Sequence, residues 1–229
     1  MSNAAPIAKF IRICAASFAI ILGLQAAWIL AAELLRPEVR FPGNLAEARA
    51  AAALRSSAAT AAWIGWARGE LWTDYAVTAN AAFVGDVEGG ALLNASNHNN
   101  NANGVAETAA TLSPSDARAW LLLAMNAQAA SNADSALARL KMSYYTSSYD
   151  DELFPLRIQM TTRLPSIADD ELSSFVEYEL GVVTRNKPNL KGFIASAYRT
   201  ASPAGRRFLE TTLAKLDPKF LAEVKATRP

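Results

Sequence analysis

Residues Ile13 to Ala32 read ICAASFAIILGLQAAWILAA, and the rest of the chain has to be interpreted in relation to this apolar run. The run contains no charged residue, and its polar residues are Ser17 and Gln25. At a rise of about 1.5 Å per helical residue, it is long enough to cross the ~30 Å hydrocarbon core of a bilayer. The sequence therefore predicts a transmembrane helix over residues 13–32.

The residues on either side of the apolar run predict its orientation. Lys9 and Arg12 precede it without an acid, whereas residues 33–40 mix acids with arginines. By the positive-inside rule, residues 1–12 lie in the cytoplasm and the rest of the chain lies outside it. We expect a single-pass protein of the bacterial inner membrane with a periplasmic C-terminal domain. A cleaved signal peptide is the alternative, although the run exceeds the roughly 7–15 residues of an ordinary signal-peptide core.

The predicted transmembrane helix carries a stripe of small residues. Ala15, Ala19, Gly23 and Ala27 recur every four residues and so share one helix face. Small side chains allow a second transmembrane helix to approach closely. The stripe is therefore a candidate packing face, and chance spacing in an alanine-rich sequence is the alternative.

The composition indicates one helical domain after the anchor. Of the 229 residues, 52% are hydrophobic and the net charge is +1, so a footprint for nucleic-acid binding is absent. The single cysteine, Cys14, lies in the apolar run, which excludes an intrachain disulfide. Alanine and leucine favour helices, and alternating β-branched runs are rare. We expect an all-α domain over residues 44–229, joined to the anchor by a spacer over residues 33–43.

The first part of this domain predicts a helical hairpin. Asn44 and Glu47 have capping-box spacing at the start of a helix that continues to Arg68. A second helix is expected from Glu70 to Val84, ended by Gly85, Gly89 and Gly90. Four aromatic side chains near the turn are expected to form the hairpin core: Trp63, Trp66, Trp72 and Tyr75.

A polar run and several proline-marked helix starts follow. Residues 94–104 read NASNHNNNANG and are expected to form an exposed loop or a frayed helix end. Three pairs, Ser113-Pro114, Ser202-Pro203 and Asp217-Pro218, each place a capping side chain before a proline and should begin helices. The other predicted helices cover residues 114–130, 133–144, 151–163, 169–185 and 189–201.

Residues 117–148 resemble one tetratricopeptide repeat (TPR). The matching positions are Trp120, Leu123 and Ala124 in the first helix and Ala136, Leu140 and Ser143 in the second. Small residues stand where two antiparallel helices must approach closely, with larger ones beside them. The chain departs from the pattern at Ala127, where tyrosine is preferred, and at Ser148, where proline is preferred.

This resemblance implies a TPR-like α-solenoid of about three hairpins, because such repeats need stacked neighbours. Two further stretches, LKMSYYT and ASPAGRRFLETTLAKLDPKFL, are similar to those of single-pass bacterial envelope proteins with helical-repeat domains. That family brings no activity with it.

The sequence is poor in patterns for catalysis or metal binding. His98 is the single histidine and stands among asparagines, which makes a poor metal site. The acidic clusters at residues 150–152 and 169–171 are interpreted as helix starts, where exposed amides favour carboxylates. The alternative is a general acid and base pair acting on a glycan. We therefore expect no catalytic residue, no cofactor and no metal.

The hypothesis from the sequence is a non-enzymatic, membrane-anchored adaptor or scaffold. Its outward helical domain would bind another envelope component, in polysaccharide assembly or in a membrane complex. Tyr145 and Tyr149 are the candidate interface residues, because exposed tyrosines are favoured anchors, whereas Tyr144 should point inward. Two alternatives stay open: an accessory subunit held mainly through its transmembrane helix, and a glycan hydrolase. A homo-oligomer also stays open.

Overall fold

The computed structural model describes residues 4–42, 45–88, 92–148, 150–165, 167 and 169–226. For residues 4–8, 45, 82–88 and 92–100 it describes the backbone alone. All regular elements within these ranges are helices, which confirms the all-α prediction. Twelve α-helices occur there, together with one 3₁₀ turn at Pro188–Leu190. They are α1 (Ala4–Leu35), α2 (Leu45–Ala53), α3 (Arg55–Ile64), α4 (Gly69–Glu88), α5 (Leu92–Leu112), α6 (Ala117–Ala129), α7 (Ala133–Thr146), α8 (Phe154–Arg163), α9 (Asp170–Asn186), α10 (Lys191–Thr200), α11 (Pro203–Leu216) and α12 (Pro218–Ala226).

Helix α1 is longer than the predicted run at both ends. Its Lys9–Leu35 portion is long and apolar enough to cross a membrane, with a mean hydropathy of 2.1 in its most apolar part. Residues Glu33–Leu35, assigned above to the spacer, continue the helix, so the spacer begins at Arg36. Side chains from Lys9 to Ala31 are exposed, whereas Ala32 is fully buried by the domain.

Two helix boundaries predicted for residues 44–88 are wrong. The helix expected over residues 44–68 is divided into α2 and α3 by a turn at Leu54. Helix α4 continues through Gly85 to Glu88, and the polar residues 94–104 lie within α5. Packing overrides the weak helix propensity of the asparagines, because Ala102, Ala106 and Ala109 of α5 are fully buried. Asn44, Gly89 and Gly90 lie outside the described residues.

Two of the three proline-marked helix starts are confirmed. Ser202 Oγ accepts a hydrogen bond from Gly205 N at 2.9 Å, and Asp217 Oδ1 accepts one from Phe220 N at 3.0 Å. The start expected at Ser113-Pro114 is wrong. Asp116 caps α6 instead, where its Oδ1 accepts from Arg118 N at 3.0 Å.

The described buried apolar residues form two clusters that meet at α6. The N-terminal cluster joins the end of α1 to α3, α4 and α5, and Leu122 and Leu123 of α6 complete it. The C-terminal cluster extends from α6 to α12 and includes Leu121 and Ala124. Phe41, in the spacer that precedes the domain, packs against both clusters. The spacer therefore helps to hold the two halves of the domain together.

The repeat-like residues form a packed helical hairpin from α6 and α7. Ala124, Ala136, Leu140 and Ser143 are fully buried, and Ser143 Oγ donates a hydrogen bond to Ala117 O at 2.9 Å. Trp120 and Leu123 face the N-terminal cluster instead. The TPR-like solenoid as a whole stays a prediction.

The predicted aromatic core near residues 63–75 is only half present. Trp72 is buried, and Tyr75 is partly buried at a ring distance of 6.2 Å from it. Trp63 and Trp66, expected in the core, are 68% and 62% exposed. The Trp63 ring contacts Trp72 in an edge-to-face arrangement, with ring centroids 5.3 Å apart.

Candidate functional site

A groove with a volume of about 390 Å³ crosses α4, α6 and α8. These are alternate helices of the chain, and among the residues with described side chains α5 and α7 contribute none to the lining. The side chains that line it are mainly carboxamides and apolar groups, with one arginine: Asn80, Met125, Asn126, Gln128, Ala129, Leu156, Gln159, Met160 and Arg163. Because α6 is the helix at which the two clusters meet, the groove follows the junction between them.

The carboxamides are the distinctive chemical groups of the groove. Asn80 Nδ2 donates to Ala76 O at 2.9 Å, and Gln128 Nε2 reaches Met160 O at 3.4 Å. Asn126 is 3% exposed, and its Nδ2 has no hydrogen-bond partner among the described residues. A buried donor without a partner costs about 1–3 kcal/mol. An acceptor in the groove would recover that cost.

Arg163, the last residue of α8, supplies the positive charge of the groove. It is exposed to solvent and forms no ion pair within the described part of the chain. The surrounding protein lowers the pKa of its guanidinium by desolvation, although the group stays charged at any physiological pH. An unpaired guanidinium on a groove wall favours a carboxylate ligand.

A smaller pocket of about 170 Å³ adjoins the groove along α8 and shares Leu156 and Gln159 with it. The pocket also includes Phe41 and Pro42 of the spacer, together with Phe193 of α10. The spacer has no regular secondary structure over residues 36–42. A stretch of irregular polypeptide thus already lies on the face of α8 that continues into the groove.

Tyr145, a predicted interface residue, does not line this groove. Tyr145 is 51% exposed, and its hydroxyl donates to Glu171 Oε2 at 2.7 Å. Lys141 joins the same surface cluster through an ion pair with Glu171 at 2.6 Å. Tyr149 lies outside the described residues. An interface role for these two tyrosines stays a prediction.

The small-residue stripe of α1 is exposed along its whole length. Ala15, Ala19, Gly23 and Ala27 have no buried member, and a Cβ built on Gly23 would meet nothing within 4 Å. Its use as a packing face stays a prediction.

The acidic clusters have separate structural roles. Asp169 caps α9 by accepting from Leu172 N at 2.8 Å, and this bond together with Lys141 lowers the pKa of its carboxyl. Asp151 pairs with Lys187, in a turn before α8, which begins only at Phe154. Among the residues with described side chains, no three His, Cys, Asp or Glu groups are placed to hold a metal ion. His98 has no described side chain.

A buried polar network, missed by the sequence analysis, links α7, α8 and α9. Arg157, Tyr144 and Glu179 are each at most 1% exposed. Arg157 Nε donates to Ser143 Oγ at 3.1 Å, and its Nη1 lies 3.5 Å from Glu179 Oε1. Tyr144 donates to Glu179 Oε2 at 2.8 Å, with the guanidinium 4.5 Å above its ring. Because these groups are enclosed, we assign them to stability and not to ligand binding.

The network makes stability depend on pH through Glu179. Burial raises the pKa of Glu179 from 4.5 to about 8, against the opposing effect of Arg157. A raised folded-state pKa stabilises the fold fully below pH 4.5, and that contribution is lost as pH rises through about 8. We expect the free energy of unfolding to fall over this interval, measured by denaturant titration at a series of pH values. Glu179→Gln should remove this component, and an unchanged pH profile in that variant would contradict the assignment.

Comparison with known proteins finds no matching protein family, no matching curated protein and no matching solved structure.

Proposed function

We propose that this chain is a membrane-anchored binding protein whose groove across α4, α6 and α8 holds an extended segment of a partner protein. The observation that carries the proposal is the buried Asn126 amide, which lines the groove without a hydrogen-bond partner among the described residues. A site of this composition offers binding groups, and it does not offer the nucleophile and base that a hydrolase requires.

Extended polypeptide fits the chemistry of the lining. A carboxamide carries both donors and an acceptor, as the peptide group does, so Asn126 and Gln159 can pair with a backbone that runs past them. Met125, Leu156 and Met160 supply apolar surface between these polar groups. Methionine adapts to different side chains and is common at binding surfaces. Phe41 and Pro42 of the spacer line the adjoining pocket together with Leu156 and Gln159 of α8, so irregular chain already borders this face of α8.

Arg163 indicates that the proposed ligand carries a negative charge. A guanidinium without an acidic partner would pair with a carboxylate, either an acidic side chain or the C-terminus of the bound segment. The partner segment is therefore expected to combine apolar residues with an acidic group at one end. The domain itself has a net charge near zero, so this local charge and not a general field would orient the ligand.

The anchor is proposed to remain attached to the domain. Trp28 Nε1 donates to Ile64 O at 2.6 Å, and Ala32 is fully buried against the domain. Glu33 pairs with Arg68 of the turn that follows α3. Cleavage after Ala32 would remove the first two of these contacts, which supports an uncleaved anchor. The flanking charges of α1 support a cytoplasmic N-terminus, an inner-membrane location and a periplasmic domain.

The test is site-specific photo-crosslinking of the full-length protein in its native membrane. A photoreactive residue at Gln128, on the groove, should crosslink one partner through a short contiguous segment of that partner. The matched control places the same residue at Glu177, on α9 away from the groove lining. Equal crosslinking from both positions, or none from Gln128, would overturn the groove proposal.

Arg163→Ala should weaken partner binding about 10- to 100-fold, since a hydrogen bond to a charged group is worth roughly 1.5–3 kcal/mol. Arg207→Ala, at an exposed position of α11, is the matched control and should bind normally. The measurement is titration of the detergent-solubilised protein with the segment identified by crosslinking. Equal losses in the two variants would indicate a nonspecific charge effect and exclude a specific role for Arg163.

A further inference from the structure

The C-terminal end of α1 is fixed against the turn between α3 and α4. Trp28 donates its indole N–H to Ile64 O, the carbonyl at the end of α3. One turn further along α1, Ala32 packs on Gly65 so closely that a Cβ added to Gly65 would lie 3.3 Å from the Ala32 Cβ. The ion pair between Glu33 and Arg68 follows. Successive residues of α1 thus contact successive residues of this turn, and the turn cannot move away from the helix.

This attachment fixes the depth of the turn relative to a bilayer that α1 crosses. Glu33 is the first charged residue after the apolar run, so it belongs among the lipid headgroups. Trp28 lies five positions earlier, about 7–8 Å deeper along the helix axis. The headgroup layer on each side of a bilayer is roughly 5–8 Å thick. Ile64, bonded to Trp28, therefore lies near the boundary between headgroups and hydrocarbon.

Trp63 and Trp66 stand on either side of Ile64, and both are mostly exposed. The backbone between them is held in place, since Trp72 Nε1 donates to Trp66 O at 2.9 Å. Exposed tryptophans at fixed positions need a physical reason, because burying an indole is strongly favourable. Tryptophan is enriched at membrane–water interfaces, where its ring contacts acyl chains and its N–H contacts headgroups or water.

We propose that Trp63 and Trp66 insert into the headgroup boundary of the leaflet that α1 enters, and that with Trp28 they hold the domain flat against the bilayer. The proposal rests on the proposed function only in that α1 spans the membrane. A lipid surface is favoured as the occupant because the same turn is already bonded to the anchor at the depth where lipid begins.

The test uses the full-length protein in phosphatidylcholine nanodiscs whose acyl chains carry bromine near the headgroup end, since bromine quenches tryptophan on contact. Single-tryptophan variants retain Trp28, Trp63 or Trp66, with the other four tryptophans replaced by phenylalanine. In the control all five tryptophans are replaced and Tyr178→Trp is added, at a half-exposed position of α9. Circular dichroism first establishes that each variant is helical.

The Trp63 and Trp66 reporters should lose most of their emission in brominated nanodiscs and should emit at shorter wavelength than the control, whose intensity should stay unchanged. Quenching of Trp28 without quenching of Trp63 and Trp66 would overturn the inference while leaving the anchor intact. Failure to quench Trp28 would instead remove the transmembrane anchor of the proposed function. If Trp63 and Trp66 were protected from bromine quenching only at high protein concentration, a second copy of the chain would cover them. That result would also overturn the inference.

Discussion

Above about pH 8, where Glu179 is ionised, replacing Arg157 with methionine is expected to lower the free energy of unfolding by about 3–5 kcal/mol. This is the usual cost of breaking a buried ion pair from one side. The variant removes the hydrogen bonds to Ser143 and the cation above the Tyr144 ring. It also leaves Glu179 fully buried without its basic neighbour. The measurement is denaturant unfolding of the detergent-solubilised full chain, followed by far-ultraviolet circular dichroism.

The double variant Arg157→Met/Glu179→Leu is the control for this effect. Replacing both members of a buried pair by apolar residues is often neutral or stabilising. The double variant should therefore be more stable than Arg157→Met alone. If the stability losses of Arg157→Met alone and Glu179→Leu alone add up to the loss in the double variant, the two side chains are not coupled. Packing volume would then explain the loss in Arg157→Met.

Gly205→Ala is expected to destabilise the fold by about 3 kcal/mol or more, beyond the usual range for overpacking. Gly205 lies in the first turn of α11 directly against the end of α8, and an added Cβ would lie 1.9 Å from the backbone oxygen of Thr162. That oxygen also accepts a hydrogen bond from Ser202 N at 2.9 Å, so the backbone cannot move aside freely. Thermal and denaturant unfolding measure the loss.

Gly192→Ala is the matched control, at another glycine within a helix. This position in α10 is exposed, and an added Cβ would meet nothing within 4 Å. Alanine there should be neutral or stabilising by up to ~1 kcal/mol, because it restricts the unfolded chain and favours the helix. Similar destabilisation by both substitutions would show that the α8–α11 contact is not the cause.

The parts of the fold that could be predicted from sequence depend on local chemistry. The apolar run predicted the helix that became α1, and the Ser202 and Asp217 caps were recognisable because capping needs only neighbouring residues. The loop alternative for residues 94–104 is wrong, because the burial of Ala102, Ala106 and Ala109 outweighs the weak helix propensity of the asparagines. The helical spacing of these alanines was the available signal for α5.

The groove could not be predicted in the same way. Asn80 and Arg163 line one groove only because the fold brings α4, α6 and α8 together, and no local pattern encodes that arrangement. Asn126 gave a faint signal as a polar residue within the apolar helix AWLLLAMNAQA. Trp63 at the end of α3 and Trp66 in the turn that follows are exposed, and their spacing along the sequence does not distinguish this from a buried cluster.

The ion pairs around Asp74 fix the position of the groove relative to α1. Arg36, directly after α1, donates to Asp74 at 2.7 Å, and Arg118 of α6 donates to the same carboxylate at 3.1 Å. A free linker as long as the connection from α1 to α2 would let a domain wander by on the order of 15 Å. These ion pairs restrict that motion, so the groove keeps one position and one orientation relative to α1. A partner would have to present its segment at that position. Because the domain and α1 move as one unit, a tilt of α1 would move the groove with it.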